Sequence, residues 1–220
     1  MDGFGTELLL LIAITDLPMQ SNIVKKNIDD CRYHVEDNLF LPEVIDELRE
    51  FALTTDIRNE QYEEGYFSIN YDSTYVPLPL IRDVVLGLQN KFPFLGEFDR
   101  GWAFVYNNEA PGVTPHADPS RYNVNLWVTP NECVVDKEKN GLIIYDIKPP
   151  LSWTYEEYNS STELIRKYLY YTKSEKTIVP YSCNRLLIFN SKYFHETNNV
   201  SMKDGPMNRR VNYTFMFKGD

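Results

Sequence analysis

The segment Thr114-Pro115-His116-Ala117-Asp118 places an imidazole and a carboxylate two residues apart. Side chains at this spacing project to the same side of an extended segment, so His116 and Asp118 can approach one ion together. His195 is the best candidate for a third ligand, because it follows the apolar stretch at residues 186–189. Two imidazoles and one carboxylate on one face of an octahedron suit iron(II), and they leave three adjacent positions for a co-substrate and oxygen.

Each part of this pattern also has an ordinary structural interpretation. An HxD tripeptide by itself is commonly a turn, in which the aspartate bonds its own backbone and the histidine is exposed. His195 by itself would be a loop histidine. The chain has only three histidines, however, and two of them lie where a metal site requires them. The third, His34, lies on an alternating strand pattern, and we assign it to the structure.

An arginine on the last predicted strand extends the pattern. By two-residue alternation, Arg210, Asn212 and Thr214 share one face of that strand, and Val211 lies on the other. A dicarboxylate that chelates the iron at one end would leave its distal carboxylate for a bidentate guanidinium. We expect Arg210 to fill this role in preference to Arg209, because Asn212 beside it offers a second hydrogen bond. A surface ion pair is the alternative for one of the two arginines, and a bulge would reverse the parity.

Short strands separated by turns are predicted from Trp102 onward, which is typical of a sandwich or barrel. A helix interrupts them, with Ser160 and Glu163 as its predicted capping box. Residues 136–141, which include Asn140-Gly141, are a predicted hairpin turn. The strands are predicted at residues 102–106, 122–129, 142–147, 176–179, 185–190 and 209–217.

The first half of the sequence predicts a supporting layer. Pro42 opens a helix whose apolar residues recur at helical spacing, and a second helix covers residues 80–91 and ends before Pro93. We place a soft boundary near residue 100, between supporting helices and strands at 1–100 and a catalytic core at 101–220, within one functional unit. The apolar residues of the first helix are Val44, Ile45, Leu48, Phe51 and Ala52.

Composition narrows the class of protein. The formal net charge of -10 over 220 residues argues against binding to a phosphate backbone, so we expect no nucleic-acid partner. Three cysteines without a CxxC pair form neither a disulfide framework nor a zinc knuckle, which favours a reducing compartment. The apolar run at residues 8–14 is too short to span a membrane and poorly flanked for a signal peptide, and we interpret it as a buried strand or helix start. We therefore expect a cytoplasmic protein without a membrane partner.

With these motifs the sequence resembles the iron(II)/2-oxoglutarate-dependent oxygenase superfamily, and more closely its prolyl-hydroxylase-like, poorly characterised bacterial-type members. The resemblance is dense in the second half of the chain and weak over residues 66–100. It implies an α+β, β-dominated fold with a double-stranded β-helix core (jelly-roll, cupin-like) and N-terminal helices packed outside. The matching segments are residues 102–106 (WAFVY), 115–118 (PHAD), 123–130 (NVNLWVTP), 141–146 (GLIIYD), 184–197 and 208–212 (NRRVN).

The resemblance also implies roles for individual residues. His116, Asp118 and His195 would bind the iron, and Arg210 would bind the distal carboxylate of 2-oxoglutarate. Tyr106 would also contact the co-substrate, with a core tyrosine as the equal alternative. Asn212 is expected to help bind the co-substrate. Asn123, Asn125 and Trp127 share one strand face, where pocket lining and a barrel-wall role are both open; we count Asn125 with the co-substrate residues. The 15-residue step from His195 to Arg210 leaves a loop at 198–207, expected to shape the cavity mouth.

The function implied is a non-haem iron(II)-, 2-oxoglutarate- and oxygen-dependent oxygenase, with ascorbate as an optional reductant. It would hydroxylate a small molecule, a peptide or a protein and release succinate and carbon dioxide. Two alternatives stay open: a cupin-like metal enzyme that needs no 2-oxoglutarate, and a non-catalytic binding protein on the same fold.

Overall fold

The computed structural model describes residues 17–219, so the predicted buried segment at residues 8–14 lies outside the described residues. The described chain forms five α-helices and twelve β-strands. The helices are α1 (Leu17–Cys31), α2 (Pro42–Thr54), α3 (Pro79–Lys91), α4 (Tyr155–Asn159) and α5 (Thr162–Tyr171). The strands are β1 (Tyr33–Asp37), β2 (Glu60–Tyr62), β3 (Tyr66–Asp72), β4 (Phe98–Tyr106), β5 (Glu109–Ala110), β6 (Tyr122–Trp127), β7 (Leu142–Tyr145), β8 (Lys176–Val179), β9 (Arg185–Asn190), β10 (His195–Thr197), β11 (Val200–Ser201) and β12 (Val211–Phe217).

Two antiparallel sheets form the core. The large sheet has the order β1-β9-β6-β12-β4-β3-β2, and the small sheet has the order β10-β7-β8. Strands β5 and β11 form a separate pair. This β-rich arrangement confirms the predicted jelly-roll fold class. The boundary expected near residue 100 falls inside β4, and three strands from the N-terminal side extend the same large sheet.

The outer face of the large sheet is apolar and is covered by the first three helices. Pro42 occupies the first turn of α2, where its missing N–H costs no hydrogen bond, and Leu48 is fully buried. The Tyr213 hydroxyl on β12 donates to the Leu48 carbonyl oxygen at 2.7 Å, which ties the helix to the sheet. Helix α3 ends at Lys91, before Pro93, as predicted. The helices therefore support the sheet from outside, and the inner face is left for a site.

The inner face carries polar and aromatic side chains in register. Asn70 on β3 pairs with Trp102 on β4, Trp102 pairs with Thr214 on β12, and Thr214 pairs with Asn125 on β6. Directly paired residues point to the same face of a sheet, so these side chains form one row across four strands. Val211, Tyr213 and Phe215 lie in the apolar core of the other face, as the alternation predicts.

Two local predictions are wrong. The capping box is formed by Thr154 and Glu157 ahead of α4, whereas Ser160 follows α4 as its C-cap, because a separate short helix precedes α5. The residues 136–141 do contain a turn, but they are not a hairpin: this turn precedes β7 of the small sheet, and the strand before it, β6, belongs to the large sheet. No helix within residues 17–219 is long and apolar enough to cross a membrane.

Candidate metal centre

A backbone pair brings the two candidate histidine ligands together. His116 and His195 form an isolated antiparallel bridge, in which each backbone N–H donates to the carbonyl oxygen of the other, at 3.0 Å and 2.8 Å. His195 is the first residue of β10, and His116 lies in the connection before β6. The centres of the two imidazole rings are 4.3 Å apart.

The tautomers of both imidazoles are set by backbone oxygens. The Nδ1 atom of His116 is 2.8 Å from the Thr114 oxygen, and that of His195 is 3.0 Å from the Tyr193 oxygen. A carbonyl can only accept, so each Nδ1 carries a proton, and Nε2 is the atom whose lone pair a neutral ring offers to a metal. The Nε2 atoms lie 3.9 Å (His116) and 3.3 Å (His195) from Oδ2 of Asp118. One ligand atom from each of the three residues lies within 4.8 Å of the others, so together they can hold a metal ion.

Two asparagine amides orient the carboxylate of Asp118. Asn123 on β6 donates to Oδ2 at 2.6 Å, and Asn159 at the end of α4 donates to Oδ1 at 3.3 Å. Asn159 also donates to the Ala117 oxygen at 3.0 Å. Sequence reasoning missed Asn159, because it lies on an inserted helix with no spacing relation to the HxD segment.

The electrostatics of the site favour the protonation states that a metal requires. Burial raises the pKa of Asp118, but the two neighbouring histidines outweigh it and bring that pKa down to about 2. Burial and the proximity of His195 lower the pKa of His116. At neutral pH the carboxylate is therefore ionised and His116 is neutral, which is the form in which these groups bind metals.

The cluster lines a cavity of about 610 Å³ between the two sheets, and Tyr106, Asn125 and Asn212 line it as well. The Tyr106 hydroxyl lies 3.4 Å from Oγ1 of Thr197. Asn212 donates to the Thr214 hydroxyl at 2.8 Å, and that hydroxyl donates to Asn125 at 2.9 Å.

The loop predicted at residues 198–207 does not shape the mouth of this cavity, since none of its residues lines it. Part of the loop forms β11 instead, and β11 pairs with β5. Val200 and Met202 are buried in an apolar cluster that also holds Tyr106. The segment therefore packs behind Tyr106 and does not line the cavity itself.

Arg210 lies beside the cavity but does not line it. The residue is 1% exposed, and its Nε donates to the Asn140 oxygen at 2.8 Å. Its guanidinium carbon is 4.7 Å from the centre of the Tyr106 ring and 5.8 Å from that of Trp127. Within the described part of the chain, Nη1 of Arg210 and Nε1 of Trp127 are buried donors without a hydrogen-bond partner. Two such donors close together indicate a place for an acceptor.

Glu196, the neighbour of His195, was also missed by sequence reasoning. It is buried, it accepts a hydrogen bond from the Tyr145 hydroxyl at 2.5 Å, and it pairs with Arg166 of α5 at 3.0 Å. Adjacent residues on a strand point to opposite faces, so this pairing holds β10 from the side opposite the metal ligand.

No protein-family model and no curated protein sequence matches this chain. Solved structures do match over most of its length. The epimerase SnoN from nogalamycin biosynthesis, described as non-heme and alpha-ketoglutarate dependent, has a TM-score of 0.65 at 9% identity, covering 92% of this chain and 84% of SnoN. HygX from Streptomyces hygroscopicus, with nickel and 2-oxoglutarate bound, has a TM-score of 0.63 at 10% identity, covering 90% and 86%.

A prolyl hydroxylase from Trichoplax adhaerens, in complex with a peptide fragment of the hypoxia inducible factor oxygen degradation domain, is similar too. Its TM-score is 0.56 at 12% identity, over 93% of this chain and 95% of that one. At sequence identities of 9% to 12%, these comparisons show that the folds are similar. The chain thus has the jelly-roll fold of the 2-oxoglutarate- and iron(II)-dependent oxygenases.

Proposed function

We propose that this protein is a non-haem iron(II)- and 2-oxoglutarate-dependent oxygenase that oxidises a substrate bound in the cavity between its sheets. The observation that carries the proposal is the convergence of His116, Asp118 and His195 at the wall of that cavity. Two neutral imidazoles and one carboxylate are the donor set that iron(II) oxygenases use with open coordination positions. The three residues therefore fit the metal.

The buried donors near the cavity fit the co-substrate. No carboxylate among residues 17–219 pairs with Arg210, and a buried guanidinium without a counter-charge is costly. The distal carboxylate of 2-oxoglutarate would supply that charge, with the Tyr106 hydroxyl, Asn125 and Asn212 as further polar neighbours. HygX, on the same fold, holds 2-oxoglutarate together with nickel.

In this mechanism the protein binds the metal and the co-substrate, orients the metal ligands and encloses the site. When bound, iron(II) supplies the oxygen chemistry, with 2-oxoglutarate giving succinate and carbon dioxide as the co-product. Asn123 and Asn159 keep the Asp118 carboxylate turned toward the two imidazoles, and the backbone oxygens of Thr114 and Tyr193 keep each Nε2 free for the metal. The buried inner part of the cavity, where His195 and Asn125 lie, limits the access of water to the oxidising site.

We propose hydroxylation as the reaction, on a small molecule or on a peptide or protein side chain. Proteins of this fold include both an epimerase and a prolyl hydroxylase, so the outcome at the substrate is set by the cavity and not by the fold. We place the activity in the cytoplasm, with ascorbate as an optional reductant. Cys133 and Cys183 are free thiols, which suits a reducing compartment.

The test begins without oxygen. Addition of iron(II) and 2-oxoglutarate to metal-free protein is expected to give a visible charge-transfer absorption, and admission of oxygen is expected to yield succinate. His195→Ala and Asp118→Ala should remove both signals. Arg210→Ala should raise the 2-oxoglutarate concentration needed for half-maximal signal by about 10- to 100-fold, since a charge-assisted hydrogen bond contributes roughly 1.5–3 kcal/mol.

Arg209→Ala is the matched control, because it removes the same type of side chain from the neighbouring residue, just ahead of β12. An equal effect of the two substitutions would contradict the role of Arg210. Metal binding without any dependence on 2-oxoglutarate would instead favour the cupin-like alternative. Wild-type protein that shows no charge-transfer absorption and forms no succinate would contradict the oxygenase proposal.

A further inference from the structure

One side of the cavity is an aromatic wall, which we define as Tyr62, Tyr66, Trp102 and Phe104. Trp102 and Phe104 lie two residues apart on β4, and their rings are nearly parallel, at 17°, with centres 6.1 Å apart. Phe104 meets Tyr66 edge to face at 5.8 Å, and Tyr66 stacks on Tyr62 at 4.4 Å. All four residues line the cavity that holds the metal cluster. The wall therefore offers a continuous apolar aromatic surface to a ligand.

Amide side chains line the same cavity as this wall. Asn70 is paired directly with Trp102 across the strands, and Asn123 lies on β6 beside Asp118. Both line the cavity, as does Asn159. Within the described residues, Oδ1 of Asn123 is a buried acceptor without a partner. Such an acceptor indicates a ligand that brings a hydrogen-bond donor.

The charged side chains at the rim are few and of both signs. Glu60 and Glu64 line the cavity beside the aromatic wall, and Arg100 lines it near Asn70 and Trp102. These three charges sum to -1, so the opening has no excess of positive charge that would attract an anion. The polar recognition in the outer cavity is thus carried mainly by neutral amides.

Aromatic faces together with neutral amides suit a hydroxylated ring. The C–H face of a pyranose is apolar and packs on an aromatic ring, while each hydroxyl can both donate and accept, as an amide side chain can. A planar hydrocarbon would leave Oδ1 of Asn123 without a donor. A peptide added as a strand would lie along the edge of β2, whereas Asn70 and Asn123 are side chains on the inner face of the sheet.

We propose that the outer cavity is a subsite for a neutral sugar ring, stacked on Trp102 and Phe104 and hydrogen-bonded by Asn70 and Asn123. The inference rests on the proposed function in one respect: the ring is then the substrate, or the part of it that is held beside the metal. The binding itself requires neither metal nor turnover. The substrate class is accordingly a free sugar or a glycoside.

Saturation-transfer NMR tests the subsite with defined probes. These are the methyl pyranosides of glucose, galactose, mannose and N-acetylglucosamine, with 2-naphthol and N-acetyl-Gly-Pro-Gly as comparison ligands. Each is added to metal-free protein and to protein loaded with zinc(II) and 2-oxoglutarate. We expect transfer to at least one pyranoside, strongest at the protons of one ring face.

Substitutions test whether the pyranoside binds at the aromatic wall. Trp102→Ala is expected to raise the dissociation constant of the bound pyranoside about tenfold or more, and Trp102→Phe to keep it within about threefold, since an aromatic face remains. Asn70→Ala is expected to weaken binding as well. Tyr170→Ala removes an exposed aromatic ring outside the cavity and should change nothing.

Absence of transfer to every pyranoside, or binding unchanged in Trp102→Ala, overturns the proposal. Binding of only the peptide or only 2-naphthol assigns the wall to those ligands and also overturns it. Zinc titration by calorimetry on the same samples separates this inference from the oxygenase proposal. Pyranoside binding without metal binding leaves the subsite standing and removes the oxygenase, whereas the reverse result removes only the subsite.

Discussion

Asp118 receives hydrogen bonds from amides on two distant elements, Asn123 on β6 and Asn159 on α4. One amide fixes each carboxylate oxygen, so the carboxylate can hardly turn about its own bond. Ligands held in this way lose little freedom when a metal binds, and groups that orient a ligand typically affect metal affinity by about 10- to 100-fold.

Asn159→Ala tests whether the second amide orients the Asp118 carboxylate for a metal. We expect the affinity for nickel(II), used as an oxygen-stable substitute for iron(II), to fall by about 10-fold, since Asn123 still holds the other oxygen. Isothermal titration calorimetry measures it. Asn90→Ala, an exposed asparagine on α3, is the matched control. Unchanged affinity in Asn159→Ala would mean that the amide only braces the backbone at Ala117.

Residues of the site differ in how far the sequence reveals them. The pairing of His116 with Asp118 is visible because two-residue alternation is a local property of the chain. Asn159 and Arg166 act through tertiary contacts from the inserted helices, and such contacts leave no period in the sequence. Arg210 was predicted to face the co-substrate, and its position behind Tyr106 depends on side-chain packing that alternation does not describe.

An ion pair joins the helix layer to the edge of the large sheet. Lys91 at the end of α3 is 4% exposed, and its Nζ is 3.1 Å from Oε1 of Glu36 on β1. Burial raises the pKa of Glu36, but hydrogen bonding with His34 and the charge of Lys91 outweigh burial, so that the net pKa lies below the usual 4.5. The pair therefore favours the folded state when Glu36 is ionised.

Glu36→Gln is expected to lower the free energy of unfolding at pH 7 by about 2 kcal/mol, because it leaves a buried ammonium without a counter-charge. The folded-state pKa of Glu36 is the lower one, so its contribution is complete well above pH 4.5 and is lost as the pH falls through the folded value. Urea unfolding at pH 7 and in acid should show the difference between wild type and variant shrinking toward low pH.

The double variant Glu36→Gln with Lys91→Met removes both charges and should recover much of the loss. A difference that stays constant from pH 7 into acid would refute the electrostatic origin of the effect. It would indicate lost packing at β1 instead.

Helices α2 and α3 were predicted well, whereas α1, α4 and several strands were not predicted. Strand β3 was missed because both of its faces are covered: Phe67, Ile69 and Tyr71 meet the helix layer, while Tyr66 and Asn70 line the cavity. A strand buried on both sides loses the alternation of apolar and polar residues that a sequence pattern relies on. The short β10 and β11 have too few residues to show any period.

For the whole molecule, a metal site within a folded core couples binding to global stability. Nickel(II) with 2-oxoglutarate is expected to raise Tm, because a ligand that binds only the folded state adds about 2.7 kcal/mol when its concentration is 100 times Kd. Differential scanning fluorimetry measures the shift. Asp118→Ala should show almost none of it, and an equal shift in that variant would place the metal elsewhere on the protein.

The jelly-roll class was predictable because turn-separated strands after Trp102 leave few other architectures, and the motif order matched a known superfamily. The joining of both halves of the chain in one sheet was not predictable, because β1 pairs with the distant β9, so that Tyr33 lies opposite Phe189. Long-range pairing of this kind depends on which faces remain uncovered once the helices have packed.

The backbone bridge between His116 and His195 fixes the separation of the two imidazoles whether or not an ion is present. An ion can therefore enter and leave without any strand being formed or broken. We expect exchange between nickel(II) and iron(II) to follow the lifetime of the coordination bonds, and not the far slower global unfolding rate. The metal that the protein carries would then depend at all times on the free concentrations of the metal ions around it. It would not be fixed when the chain folds.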